Sequence, residues 1–304
     1  MTIVQGVYAA VLIPRFPDGE LDTGGFRAIL EFLRRKGVPR VVVNGATGEY
    51  CLTTAEELAR MLAICGETLP GGEVVCGIGA AGMPGCLELG RIAIDHGVRA
   101  LLLPMPHFFP YAQGDLQAFC AAVAARLDAP ILLYNLPRFT TPLELGTVRR
   151  LIESVPNILG IKDSSGSLDI LGGLSSGACR IVGDDSVLVA ALDAGLCDGV
   201  VSGVAGVVPE LTTFLYEQRN SAAYPLAVEL LDELIRYLSP FPVPWGLKLI
   251  AECRGITPAW FSQPLSAARA AQASEFRTWF PGWWRQWESA VEEWTVKLNV
   301  VKLN

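Results

Sequence analysis

Eight short apolar runs, whose first residues lie 19 to 33 positions apart, constrain the fold of this 304-residue chain more than any other feature. The runs span residues 7–13, 40–44, 73–77, 100–104, 130–135, 158–162, 180–183 and 199–202. Each run is almost entirely hydrophobic and does not alternate with polar residues. That pattern is typical of parallel strands that are covered on both faces.

The segments between the runs have the spacing of amphipathic helices. Thr54 and Glu57 form a capping-box pattern at the start of a helix predicted to end near Leu69. Residues 115–127 and 143–155 repeat apolar positions every three or four residues. Because eight right-handed βα units close most simply into a barrel, the sequence predicts an α/β fold with a (β/α)8 TIM barrel over residues 1–220.

Helical patterns continue after the eighth run, over residues 208–219, 222–238, 244–254 and 265–294. We therefore expect the eighth barrel helix to be followed by a helical C-terminal extension, residues 221–304, packed on the barrel. The last pattern holds five of the seven tryptophans, which are Trp279, Trp283, Trp284, Trp287 and Trp294. Such a cluster favours packing in a core or between subunits.

Charge and residue usage argue against several classes of function. A net charge of −7 and a pI near 5.0 provide no basic face for nucleic acid or an anionic membrane. No apolar stretch approaches the roughly 20 residues that span a bilayer, and the N-terminus lacks the basic segment of a signal peptide. The eight cysteines include no CxxC pair, and the two histidines form no metal-binding motif. We expect a cytoplasmic protein with reduced thiols and no metal.

Lys162 is the first candidate catalytic residue. The chain has 19 arginines but only five lysines, and Lys162 alone of these lies in a predicted strand, at the end of the sixth. Residues at the carboxyl ends of barrel strands carry the chemistry of such enzymes. A lysine buried there must be paired or lose its charge, and an uncharged amine can hold a carbonyl substrate as an imine. The alternative is a salt bridge with Asp163 or Asp184.

Two further strand ends offer groups that suit this chemistry. Tyr134 ends the fifth strand, beside Lys162, where a phenol can carry the protons that imine formation requires. Thr47 lies between Gly45 and Gly48 after the second strand, and backbone N–H groups in such a turn can bind a carboxylate. The alternatives are a core tyrosine and an ordinary turn.

Four motifs together resemble the dihydrodipicolinate synthase/N-acetylneuraminate lyase family of Schiff-base, pyruvate-dependent aldolases: GATGE at 45–49, YNLP at 134–137, GIKD at 160–163 and GDD at 183–185. The similarity covers about residues 5–260. It implies that Lys162 forms the Schiff base, that Tyr134 shuttles protons, and that Thr47 with its neighbours Ala46 and Gly48 binds the pyruvate carboxylate. It also implies that the backbone carbonyl near Val201 borders the site, that no cofactor or metal is used, and that the chain forms a homotetramer or homodimer.

The chain departs from the synthases of this family at three places. Ala46 replaces a hydroxyl residue, and Phe108 replaces a tyrosine that a neighbouring subunit lends. The arginine that grips the aldehyde carboxylate is replaced by Phe139, with Arg138 one position earlier. His107, next to Phe108, either faces the pocket as an acid–base group or packs against it. We include Arg138 and His107 among the substrate-binding candidates.

These observations predict a Schiff-base lyase, either an aldolase or a dehydratase, acting on pyruvate or a pyruvate-derived 2-oxo acid. One alternative is a dihydrodipicolinate synthase proper, which condenses pyruvate with aspartate semialdehyde in lysine biosynthesis. The other is a barrel that binds a 2-oxo acid without turnover. The departures disfavour the synthase, and the presence of Lys162, Tyr134 and Thr47 disfavours the non-catalytic protein.

Overall fold

The computed structural model describes residues 3–301, with side chains described as far as residue 291. Eight parallel strands pair in sequence order and close into a barrel through β8 and β1. The strands are β1 (Gly6–Ala10), β2 (Arg40–Val43), β3 (Glu73–Gly77), β4 (Ala100–Pro104), β5 (Ile131–Asn135), β6 (Ile158–Asp163), β7 (Cys179–Val182) and β8 (Gly199–Ser202). The predicted (β/α)8 barrel is thus confirmed.

Helices follow each strand and then continue beyond the barrel. The barrel helices are α1 (Thr23–Arg35), α2 (Ala55–Thr68), α3 (Met83–Asp95), α4 (Gln113–Ala124), α5 (Leu145–Ser154), α6 (Asp169–Gly173), α7 (Leu188–Asp193) and α8 (Pro209–Glu217). The later helices are α9 (Tyr224–Leu238), α10 (Trp245–Cys253) and α11 (Ala267–Val301). None of the described helices is long and apolar enough to cross a membrane.

Local sequence signals account for several helix starts. At α2 the predicted capping box is present, since the Thr54 hydroxyl accepts from the Glu57 amide at 3.2 Å and the Glu57 carboxylate accepts from the Thr54 amide at 3.0 Å. Helix α4 begins two residues before the predicted start. The reason is that the Asp115 carboxylate reaches back to the Ala112 amide at 3.1 Å and caps the earlier turn.

The first strand is shorter than predicted. It ends at Ala10, although the apolar run continues to Ile13. Val11 makes one more backbone bond, to the Val42 carbonyl at 3.1 Å, and the chain then leaves the sheet. Residues 11–13 are apolar because they are buried beneath the turn after β2, where a Cβ on Gly48 would lie 3.0 Å from Ile13.

Two hydrophobic layers explain why the strands are apolar on both faces. Alternate strand residues, among them Tyr8, Val42 and Leu102, pack together inside the barrel. The others, such as Val41 and Leu133, pack outward against the helices. With both faces buried, the polar groups that remain concentrate at the strand ends, which is where the candidate site lies.

The three C-terminal helices share the outer hydrophobic core with the barrel helices. In α11, Trp283 is buried and donates to the Leu230 carbonyl at 3.0 Å, and Trp279 stacks on Tyr237 of α9. The predicted core packing therefore applies to these tryptophans, whereas the Trp294 side chain lies outside the described residues. The division of the chain at residue 220 stays a prediction.

Candidate active site

Lys162 and Tyr134 lie side by side at the carboxyl ends of two neighbouring strands. In the β5–β6 pair Tyr134 is opposite Lys162, and Asn135 is opposite Asp163. Because successive strand residues point to opposite faces, the first pair points into the barrel and the second toward the helices. Lys162 Nζ lies 2.8 Å from Tyr134 Oη, a hydrogen-bonding distance. The structure therefore brings together the strand-end amine and phenol.

The Lys162 amine is buried without a counter-ion. The residue is 3% exposed, and no carboxylate among the described side chains forms an ion pair with it. Loss of hydration on burial lowers its pKa from 10.5 to about 7, and the negative charges of Asp185 and Asp184 oppose that shift. A large share of the amine is consequently uncharged near neutral pH, as imine formation requires.

The two carboxylates that were alternative partners for Lys162 are engaged elsewhere. On the outer face of β6, Asp163 accepts from the Asn135 amide at 2.8 Å and from the Ser165 hydroxyl at 3.0 Å. Asp184 accepts from the Ser186 hydroxyl at 2.7 Å. The structure therefore contains neither of the salt bridges considered for Lys162.

Tyr134 is positioned to carry a proton. Burial raises the pKa of its phenol, and the nearby Ser164 hydroxyl and Ala46 amide act in the opposite direction because they stabilise the phenolate. Ser164 also donates to the Gly183 carbonyl at 2.9 Å. The phenol thus remains protonated at neutral pH and can act as a general acid beside the amine.

The turn after β2 offers hydrogen-bond donors to the site. Among the described residues, the Thr47 hydroxyl and amide N–H have no partner. The Ala46 amide approaches Tyr134, whereas the Gly48 amide donates to the Gly45 carbonyl at 3.0 Å. Thr47 and Ala46 therefore lie beside the reactive pair, and Gly48 stabilises the turn with its N–H instead of offering it to a ligand.

A buried ion pair fixes this turn to the C-terminal helices. Glu49 has a left-handed backbone (φ 50°), and its carboxylate binds Lys248 of α10. The same carboxylate accepts from the Ser262 hydroxyl at 3.1 Å, and the Lys248 amine lies 5.1 Å from the centre of the Trp260 ring. The position of Thr47 consequently depends on a helix about 200 residues further along the chain.

Asp185 forms the opposite side of the site. Its carboxylate accepts from the Ser202 hydroxyl at 2.5 Å and from the Val204 amide at 3.2 Å. Burial raises the pKa of Asp185 to about 6, with a further upward contribution from Asp184, while its hydrogen bonds and the Lys162 amine lower it. The charge of Asp185 therefore changes over the pH range in which Lys162 also titrates.

Two glycines leave room for the reactive groups. A Cβ on Gly183 would lie 2.5 Å from Lys162 Cε. A Cβ on Gly203 would lie 2.8 Å from Leu247 and 3.5 Å from Thr47 Oγ1. Any side chain at Gly183 would displace the amine. The glycine of the GDD motif is thus explained by the space that the side chains of Lys162 and Ser164 need.

A cavity of about 210 Å³ opens above these groups. Its barrel side is mostly polar, with Thr47, Tyr134, Ser164, Asp184 and Asp185. Its other side is formed by the end of α9, the loop to α10 and the start of α10, and is mostly apolar. The cavity therefore presents both a polar and an apolar surface to a small molecule that enters it.

The other predicted site residues lie around this centre. Arg138 lines the cavity, is exposed, and has no partner among the described residues. Val201 packs inside the barrel, two residues before Gly203, which lines the cavity. His107 does not line the cavity. Its ring packs edge to face with that of Tyr50, with 5.9 Å between the ring centres, and its buried Nδ1 has no partner among the described residues. The structure thus places Arg138 at the cavity and His107 behind it.

Phe108 lies outside the cavity. It is 84% exposed, has a φ of 86°, and contacts Phe109 edge to face at 4.8 Å between ring centres. No three His, Cys, Asp or Glu side chains among those described come together in a way that could hold a metal ion.

Sequence reasoning overlooked several groups of the site. Ser164 follows Lys162 by two residues, so the rule that strand ends carry chemistry was sufficient to find it. Asp185 belongs to a recognised motif, but its burial beside Ser202 depends on tertiary structure. Leu247 and its neighbours carry no local signal, because helical apolar residues are usually core residues.

The fold and the site together define a (β/α)8 barrel with a buried lysine at the carboxyl end of a strand, and none of the described carboxylates forms an ion pair with that lysine. The sequence model of the Dihydrodipicolinate synthetase family matches residues 3–279. A 4-hydroxy-tetrahydrodipicolinate synthase from Methanothrix thermoacetophila is 32% identical over 268 residues, which are 83% of this chain and 88% of that protein.

Solved structures agree in fold. The 4-hydroxy-tetrahydrodipicolinate synthase of Methylacidiphilum fumariolicum SolV is 24% identical with a TM-score of 0.83, covering 94% of this chain and 99% of that one. An N-acetylneuraminate lyase from Mycoplasma synoviae is 18% identical with a TM-score of 0.78, covering 91% and 96%. The chain belongs to the dihydrodipicolinate synthetase family and is a lyase of that family.

Proposed function

We propose that this lyase forms a Schiff base between Lys162 and pyruvate, or a 2-oxo acid derived from pyruvate, and acts as an aldolase or dehydratase. The observation that carries the proposal is the Lys162 amine, which is buried, lacks a counter-ion and bonds to Tyr134. A lysine serving only as a structural ion-pair partner has a carboxylate beside it, as Lys248 has in Glu49.

The arrangement supports a sequence of steps. The uncharged Lys162 amine attacks C2 of the 2-oxo acid, and Tyr134 delivers the proton with which the C2 oxygen leaves as water. The imine then draws electrons from C3 and an enamine forms in one of two ways. Either C3 gives a proton to the Tyr134 phenolate, or the C3–C4 bond breaks while the C4 hydroxyl gives its proton to that phenolate and leaves as an aldehyde. The free N–H and hydroxyl of Thr47 would hold the carboxylate meanwhile. Hydrolysis of the imine returns the amine.

Deuterium exchange into pyruvate tests this proposal without knowledge of a second substrate. In D2O, reversible formation of the enamine replaces the methyl protons of pyruvate by deuterium, which proton NMR measures directly. We expect enzyme-dependent exchange that is lost in Lys162→Met. Exchange at the rate of the buffer alone would contradict the proposal.

A second candidate is dihydrodipicolinate synthase proper. The names of relatives 29–32% identical to the chain support it, and Arg138, unpaired at the cavity, is a group that could hold the aldehyde's carboxylate. Turnover of aspartate semialdehyde with pyruvate, lost in Arg138→Ala, is the result this candidate requires. The alternative of a barrel without turnover gains no support from Lys162, because its buried amine forms no ion pair among the described residues and bonds to a phenol.

Assembly and location belong to the same proposal. The exposed pair Phe108 and Phe109 supports a subunit contact, and hence a homodimer or homotetramer, since exposed aromatic residues favour interfaces. The eight free thiols, five of them buried, support a cytoplasmic location. Sedimentation of the full chain tests the first expectation, and a single-chain mass would contradict it.

A further inference from the structure

We propose that the second substrate is an aldehyde with an apolar body, aromatic or branched aliphatic, and not a carboxylated or polyhydroxylated one. This inference rests on the proposed function, because it concerns the carbonyl compound that reacts with the pyruvate enamine. It is carried by the division of the cavity into a polar and an apolar side.

The polar side accounts for the 2-oxo acid. Tyr134 and Thr47 line the barrel side of the cavity, and the Lys162 amine is hydrogen-bonded to Tyr134. A pyruvate bound to Lys162, with its carboxylate on Thr47, uses the groups that the barrel offers. The second substrate must then occupy the remaining space, toward α9 and α10.

That remaining space is enclosed by hydrocarbon. The side chains there are Ile235, Leu238, Phe241, Val243, Pro244 and Leu247. Phe139 adds a further apolar wall from the loop after β5. Ser239 is the single hydroxyl that this helical side contributes among the lining residues. A sugar-like aldehyde would leave most of its hydroxyl groups without hydrogen bonds, and sites discriminate strongly against such unpaired groups.

The charged residues around the cavity also favour a neutral aldehyde over a carboxylated one. Among the described residues, the helical side contributes no basic side chain to the lining. The acidic groups whose charges act on Lys162 are Asp185 and Asp184, and the same charges repel a second carboxylate. Arg138 is the one cation among the described lining residues, but it is exposed at the loop after β5, where water competes for its guanidinium. A neutral apolar aldehyde meets none of these penalties and gains from burial.

The reaction is balanced by groups already present. In the condensation direction, C3 of the enamine forms a bond to the aldehyde carbon, and the aldehyde oxygen takes a proton from Tyr134. Water then hydrolyses the imine, freeing Lys162. The product is a 4-hydroxy-2-oxo acid with an apolar substituent at C4, and the cleavage direction reverses these steps.

A panel of aldehydes tests the inference. The enzyme is given pyruvate with benzaldehyde, isobutyraldehyde, glyceraldehyde or aspartate semialdehyde, and the 4-hydroxy-2-oxo acid products are quantified by mass spectrometry. We expect kcat/KM for an apolar aldehyde to exceed that for both polar ones at least about tenfold. Equal or greater kcat/KM for glyceraldehyde or aspartate semialdehyde would overturn the inference, as would no reaction with either apolar aldehyde.

A matched pair of variants connects the preference to the cavity wall. Val243 and Leu226 are similarly exposed, at 43% and 42%, but Val243 lines the cavity and Leu226 lies on α9 away from it. We expect Val243→Asp to lower kcat/KM for the apolar aldehyde about tenfold and Leu226→Asp to leave it unchanged. Equal effects of the two substitutions would contradict the assignment of the apolar side.

Deuterium exchange into pyruvate is measured in the same preparations. If the enzyme exchanges deuterium into pyruvate but prefers the polar aldehydes, or turns over no aldehyde, this inference is refuted and the proposed function stands. Absence of exchange refutes both.

Discussion

Replacing Lys162 by methionine is expected to stabilise the fold while abolishing activity. Methionine has a similar length and no charge, and among the described side chains Lys162 has no carboxylate partner to lose. The fall in pKa from 10.5 to about 7 means that burying the amine costs about 5 kcal/mol at neutral pH. Losing the hydrogen bond to Tyr134 offsets about 1 kcal/mol of the gain. A net gain of a few kcal/mol raises the unfolding midpoint by at least about 4 °C.

The pH dependence of this gain follows from the direction of the pKa shift. Since the folded-state pKa is lowered, the cost of burying Lys162 is fully present below about pH 7 and fades as the pH rises toward 10.5. Above that pH the lysine is neutral in the unfolded chain as well. The difference in midpoint between Lys162→Met and the wild type is therefore expected to shrink between pH 7 and pH 10.

Differential scanning fluorimetry at pH 7 and pH 9.5 measures both effects. Lys248→Met is the matched control, because Lys248 is equally buried but paired with Glu49. Removing it leaves the largely buried Glu49 carboxylate without its counter-ion, which destabilises by about 3–5 kcal/mol. A lower midpoint for Lys162→Met at pH 7, similar to that of Lys248→Met, would refute the interpretation of Lys162 as an unpaired amine.

Three further substitutions test the chemistry of the site. Tyr134→Phe removes the proton carrier and is expected to slow deuterium exchange into pyruvate by about 10²–10⁴-fold; an unchanged rate would exclude Tyr134 from that role. In Asp185→Asn we expect the pKa of Lys162 to fall, because the negative charge of Asp185 raises it. The midpoint of the pH–rate profile for pyruvate adduct formation should therefore move below about 7. An upward shift would contradict the direction assigned to the effect of Asp185. Gly183→Ala puts a Cβ 2.5 Å from Lys162 Cε and should abolish the pyruvate adduct. The control Gly177→Ala, whose Cβ would have nothing within 4 Å, should retain it. Adduct formation in both variants would show that the amine tolerates displacement.

The barrel and the position of Lys162 beside Tyr134 were predictable because they depend on short-range rules. Continuous apolar runs at regular spacing specify parallel strands, and the strand ends then identify Tyr134 and Lys162. The two-residue alternation of strands also explains why Lys162 points inward while Asp163 points outward. The sequence could not choose between a free amine and a salt bridge, since both give the same pattern.

The remaining features depend on contacts between distant segments. Glu49 and Lys248 are separated by 199 positions, so nothing local to either residue indicates their ion pair. The apolar side of the cavity comes from helices that follow the barrel, where Leu247 and Phe241 have the ordinary spacing of core residues. The early end of β1 was missed for a similar reason, because apolar residues 11–13 are buried without strand pairing.

Borohydride trapping tests the central claim most directly. The enzyme is incubated with pyruvate, reduced, digested and mapped by peptide mass spectrometry, with the Lys36 and Lys248 peptides as internal controls. We expect one irreversible pyruvate adduct, on the peptide that contains Lys162, with the control peptides unmodified. A fully unmodified Lys162 peptide, with pyruvate and with other 2-oxo acids, would contradict the Schiff-base function.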